Sequence, residues 1–128
     1  MKALLLVAHG SRKESSNHEV SLLAEKINQL LDGDFDFVRH GFLELAEPSI
    51  PKAIDECAVL GAKNIIVVPY FLSAGRHVTE DIPEEVRKGK LSNPNTNIEI
   101  SKYLGSRNEI ADLLIKSALC RQSEIRNI

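Results

Sequence analysis

The sequence predicts an α/β fold, a single three-layer α/β/α domain built on a mainly parallel four-stranded sheet. Three observations carry this expectation. Strand-like and helix-like segments alternate four times and account for nearly every residue. Two of the strands, Lys2 to Ala8 and Ile65 to Val68, are continuous apolar runs without alternation, the pattern of strands covered by helices on both faces. The length of 128 residues suits one domain able to bury roughly two-thirds of its unfolded surface. Residues 1–121 are read as that domain and 122–128 as a frayed tail.

The first strand ends at Ala8, and a polar loop from Gly10 to Ser15 leads to Ser16 and Glu19, a capping box for the first helix. Val20, Leu23, Ile27 and Leu30 then recur at helical spacing until Asp32-Gly33 stops the run. Phe35 to Phe42 reads as a second, less buried strand because it carries charges. The prolines at 48 and 51 fit the first turn of a second helix, which puts Ile50, Ile54, Cys57 and Leu60 on one face before Gly61. Ile65 to Val68 is the most β-branched run and predicts a central strand ended by Pro69. A third helix is expected to start between Val78 and Asp81, capped by Thr79 or Asp81, and to dissolve at Gly89. After the loop Ser92 to Asn97, Ile98 to Tyr103 alternates apolar and polar residues, as an edge strand does. Ser106 and Glu109 form a second capping box for a last helix with Ile110, Leu113, Leu114 and Ala118 inward.

Composition excludes several function classes. A net charge of -2 with interspersed signs offers no basic stripe, so nucleic acid is not an expected partner. The apolar runs are far shorter than the roughly 20 residues that span a bilayer, and the N-terminus lacks a signal-peptide cleavage pattern. A cytoplasmic protein without a membrane partner is expected. Cys57 and Cys120 have no Cys or His neighbour at metal-knuckle spacing and read as small core hydrophobes. Motifs for acyl transfer (GxSxG), for nucleotide phosphate binding (GxxxxGK[ST]) and for dinucleotide binding (GxGxxG) are missing. Arg39-His40-Gly41 matches the RHG of histidine phosphatases in letters only, because it lies inside a strand and not at the end of the first one. His18 reads as a solvated residue of a polar helical turn.

In an open parallel sheet, every strand-to-helix loop emerges at one edge, and ligands bind in the crevice there. That edge comprises His9 to Ser15, Leu43 to Pro48, Tyr70 to Val78 and Leu104-Gly105. It brings imidazoles at His9 and His77, carboxylates at Glu44, Glu47, Glu80 and Asp81, and guanidinium groups at Arg12 and Arg76. Neutral imidazole binds divalent cobalt, nickel, iron or zinc, and it is also a base that titrates near neutral pH. A metal site, an acid–base site, or both are therefore expected at this edge.

The segments HGSR at 9–12, FLELAEPSI at 42–50, VVPYFLSAGRHVTEDIP at 67–83 and LGSRNEI at 104–110 resemble the class II tetrapyrrole chelatases. The likeness is to their short form, the small CbiX-type sirohydrochlorin cobaltochelatases, and it covers nearly the whole chain. The resemblance implies a chelatase-like domain, half of a long class II chelatase. It implies insertion of Co²⁺ into sirohydrochlorin on the way to cobalamin, by a homodimer with no organic cofactor. Fe²⁺, giving a sirohaem enzyme, and Ni²⁺ are the competing metals. By position, His9 would be the proton acceptor and a metal ligand, and His77 the second metal ligand. Glu47 and the stretch Leu72, Ser73, Ala74, Gly75, Arg76 and His77 would contact the tetrapyrrole. Glu44 is a further candidate for proton relay or ion binding, and Arg12 for pairing with substrate carboxylates. A non-catalytic module that holds metal or ring without joining them, and a half-domain working inside a heteromer, use the same residues and stay open.

Overall fold

A computed structural model describes residues 1–121, so the tail expected at 122–128 lies outside the described residues. Four strands form one parallel sheet in the order β2-β1-β3-β4. They are β1 (Lys2–Ala8), β2 (Phe37–Phe42), β3 (Asn64–Pro69) and β4 (Asn97–Ile100). The two runs read as interior, β1 and β3, pair with each other from Lys2 opposite Asn64 to Val7 opposite Pro69. The two runs read as less apolar are the edges.

Alternate residues of β1 enter two separate cores, which is why that run shows no period of two, whereas in β3 Ile65 and Val67 are buried and Ile66 and Val68 only half-buried. Ala3, Leu5, Val7, Ile65 and Val67 pack against Ile50, Ala53, Ile54 and Cys57 of α2 (Ile50–Val59) and Ile82 and Val86 of α3 (Ile82–Ser92). Leu6, Ala8, Val38 and Phe42 pack against Val20 and Ala24 of α1 (Glu14–Leu30) on the opposite face. The fully buried β-branched and leucine side chains each contribute about 1.5–3 kcal/mol of apolar burial. The three-layer order thus forms around a sheet with one helix on one face and two on the other.

Several element ends differ from expectation. α1 starts at Glu14 and the Ser16–Glu19 box does not form, because Ser11 and Asn17 wind the chain earlier. The Asn17 amide oxygen accepts from the Ser11 N–H (2.9 Å) and its Nδ2 donates to the Ser11 carbonyl (2.7 Å). Leu30 is exposed and Leu31 packs in its place, while Leu60 is likewise exposed at the end of α2. α3 runs through Gly89, since a Cβ there would press on Ile54 and the missing side chain lets the two helices close up. The strand expected as Ile98 to Tyr103 stops at Ile100. The Ser106 hydroxyl donates to the Tyr103 carbonyl (2.7 Å), and the expected Ser106–Glu109 capping box does not form.

The largest departure is α4 (Glu109–Leu119), which buries no residue. Leu113, Leu114, Ile115 and Leu119 are 55%, 64%, 61% and 78% exposed, and Cys120 is exposed as well. The stripe expected to face the core is apolar as read, but only Ile110 is half-buried, and Leu113, Leu114 and Ala118 stay exposed. Cys57, in contrast, is buried as expected, and burial pushes its thiol up to about 11. Among the described residues no helix is long and apolar enough to cross a membrane.

Candidate metal and tetrapyrrole site

His9 follows the last residue of β1 and His77 opens a π-helical turn, His77–Asp81, that leads directly into α3. Their strands are neighbours, and the chain leaves β1 toward β2 but leaves β3 toward β4. A crevice opens where the connections diverge. The two imidazole rings meet there, 4.7 Å apart between centroids at an interplanar angle of 67°.

Backbone hydrogen bonds carry the sheet beyond its strands and fix the loops around this pair. Leu43 N–H donates to the Ala8 carbonyl (2.9 Å), Glu44 N–H to the His9 carbonyl (2.9 Å), and Tyr70 N–H to the Val7 carbonyl (2.8 Å). Gly10 has φ +97°, and a Cβ there would overlap the Glu44 carbonyl, so this crossing of the first two loops requires glycine. The fourth loop joins the third in the same way: Gly105 N–H donates to the Phe71 carbonyl (2.9 Å), and a Cβ on Gly105 would overlap the Leu72 backbone.

Each imidazole has its own carboxylate. His9 Nε2 lies 3.2 Å from Glu44 Oε2, and its Nδ1 lies 2.8 Å from the Gly10 carbonyl. His77 Nδ1 lies 2.9 Å from Asp81 Oδ2. Glu44 and Asp81 line a shallow depression of about 320 Å³ with Leu43, Glu84 and Glu85. The last two are engaged elsewhere, Glu84 with Arg87 (2.7 Å) and Glu85 with Lys88 (2.6 Å). Among the described residues no three His, Cys, Asp or Glu side chains enclose a metal position.

The other candidates line the same edge. Leu72 is 70% exposed, and Ser73, Ala74, Gly75 and Arg76 continue an exposed ledge of mostly small residues up to His77. The Arg76 guanidinium pairs with Glu80 (2.9 Å), while Arg12 is exposed and makes no ion pair among the described residues. Glu47 is exposed and reaches Lys52 at 3.7 Å. Neither Thr79 nor Asp81 caps α3: Thr79 Oγ1 donates to the Gly75 carbonyl (3.3 Å), and the Asp81 carboxylate turns to His77. The sequence offers Asp81 both as a helix cap and as one of the carboxylates of this edge, but not its pairing with His77. The signal was its place four residues after His77, which on a helical turn puts the two side chains together.

The family model described as CbiX matches residues 3–119. The chain belongs to the CbiX family. A sirohydrochlorin cobaltochelatase of Methanocaldococcus jannaschii is 47% identical over 83 residues, 65% of this chain and 57% of the relative. The aligned segment thus spans little more than half of that relative. A sirohydrochlorin cobaltochelatase of Sulfolobus acidocaldarius is 33% identical over 118 residues, 92% of this chain and 90% of its own length. The sirohydrochlorin chelatase SirB of Bacillus subtilis subspecies spizizenii, solved in complex with cobalt, superposes with a TM-score of 0.83 at 28% identity. That likeness covers 96% of this chain and 55% of SirB, and it agrees with the α/β architecture of this CbiX-family chain.

Proposed function

We propose that this CbiX-family chain inserts Co²⁺ into sirohydrochlorin, with His9 as base and metal ligand and His77 as the second ligand, and that it works as a homodimer. The observation that carries this reading is the pair of imidazoles 4.7 Å apart at the crevice between β1 and β3. Metallation removes two pyrrole N–H protons and strips water from a divalent ion. A base must stand beside the macrocycle, and the ligands must hold the ion without trapping it. Two imidazoles supply both functions. A His9 ring that has taken a pyrrole proton can donate at once to Glu44 and to the Gly10 carbonyl, which makes Glu44 the next acceptor in line. The exposed ledge Leu72 to Arg76 offers a flat surface to a ring face, with Glu47 at the rim. Arg12, and Arg76 once released from Glu80, are placed to pair with substrate carboxylates. The exposed apolar side chains of α4 support the homodimer, because a helix that buries none of its large apolar residues calls for a covering surface.

The test is anaerobic mixing of protein, sirohydrochlorin and Co²⁺, followed by absorption. The rate is expected to exceed the protein-free rate, and His9→Ala is expected to lower it about 10²–10⁴-fold, the usual worth of a positioned base. A rate equal to the protein-free control overturns the reading. Full activity in both His9→Ala and His77→Ala overturns the site. Competition among Co²⁺, Fe²⁺ and Ni²⁺ in the same assay identifies the preferred ion, since imidazole accepts all three.

A further inference from the structure

We infer that Asp81 is a positioning residue: its carboxylate accepts the Nδ1 hydrogen of His77 and holds that ring with Nε2 presented as the metal-binding nitrogen. An ionised carboxylate only accepts, so at 2.9 Å the imidazole nitrogen facing it is the donor, and in the neutral ring the lone pair falls on Nε2. Among the described residues Nε2 of His77 has no hydrogen-bond partner, while the His9 ring stands 4.7 Å away. Three features argue that this contact is more than an incidental surface pair.

Asp81 stands at the N-terminal boundary of α3, where an aspartate ordinarily accepts from the first-turn N–H groups. Here the backbone is already helical on both sides of it, and the side chain makes no cap hydrogen bond. The usual structural role of an aspartate at that place is therefore absent. The helical start that displaces the cap is the π turn His77–Asp81, closed by the Ile82 N–H on the His77 carbonyl, and such wide turns recur at functional sites. This turn places His77 and Asp81 side by side. Finally, the carboxylates beside the crevice are distributed unequally. Glu84 and Glu85 go to Arg87 and Lys88, whereas Asp81 goes to an imidazole.

The two imidazoles therefore carry different supports. His77 has one nitrogen committed to a carboxylate of its own turn and one uncommitted, the arrangement of a fixed ligand. His9 has acceptors at both nitrogens, Glu44 from the second loop and its own loop's carbonyl, so one of these contacts must be released before that nitrogen takes a pyrrole proton or the ion. This assignment rests on the proposed metal-insertion reading, but two of its tests do not need turnover.

The variants are Asp81→Asn, which keeps an acceptor oxygen, Asp81→Leu, which has none, and Glu84→Gln, which removes a neighbouring charge without touching His77. Long-range ¹⁵N correlation spectra read the tautomer of His77, titration with Co²⁺ alone reads metal affinity, and steady-state assays read the KM for Co²⁺ separately from that for sirohydrochlorin. The expected results are an Nδ1–H tautomer in the native chain and a loss of that preference in Asp81→Leu. That variant is also expected to bind Co²⁺ about 10–100-fold more weakly, with the tetrapyrrole KM unchanged. Asp81→Asn should recover most of the affinity and Glu84→Gln should keep all of it. An Nε2–H tautomer in the native chain overturns the inference, as does native Co²⁺ affinity in Asp81→Leu. Equal loss in the Asn and Leu variants also overturns it, because charge alone would then account for the effect. If the native chain shows the tautomer and the Co²⁺ affinity but no metallation, the proposed activity fails and the role of Asp81 stands.

Discussion

His40 lies in β2 with its ring edge-on to Phe42, 5.5 Å between centroids, and burial holds its imidazole below the usual range. Glu56 opposes that shift, Arg39 adds to it and Glu25 opposes it more weakly. A folded value below the unfolded one, about 6.5, means that the unfolded chain takes the proton more readily. The stability it protects is complete above that pH and is lost as pH falls through the folded value. Thermal melts from pH 7.5 down to 5 should show a decline that His40→Gln makes shallower; parallel declines would remove His40 as its source. The RHG letters around this residue thus belong to a strand interior and not to the ligand edge. His9 and His77 were legible in the sequence because the apolar runs ahead of them locate the strand ends. The pairing of Asp81 with His77 was not, because an aspartate ahead of a proline also reads as a cap and a π turn leaves no mark in hydrophobic periodicity.

At the scale of elements, β1, β3 and α2 were read close to their observed bounds because their apolar residues are buried within the same chain. The α4 stripe was equally visible, yet its partner was misassigned, because periodicity reports that a face needs cover and not what covers it. In the proposed homodimer that cover is intermolecular. Leu113→Glu combined with Leu114→Glu should shift the sedimenting species from dimer to monomer. Both side chains are more than half exposed in the single chain, so the melting temperature of the diluted subunit should change by no more than a few degrees. A native chain already monomeric at micromolar concentration, with undiminished turnover, would leave the exposed stripe without this explanation.

Over the whole molecule, one parallel sheet delivers four loops to one edge, and two glycine contacts join those loops in pairs. Gly105→Ala would drive a methyl group into the Leu72 backbone and is expected to cost about 1–3 kcal/mol, as overpacking does. It should also lower the proposed metallation rate, because the ledge from Leu72 to His77 would have to shift. A variant with native melting temperature and native rate would show that the crossing is not needed. The pairing of loops through backbone contacts bears on binding thermodynamics. Segments already anchored to each other have little disorder left to surrender when a large rigid ring arrives, so less of the interaction energy is consumed in ordering the protein. Calorimetry would then record a heat-capacity change on ring binding that matches burial of the macrocycle alone, without the added contribution of a segment that folds around it.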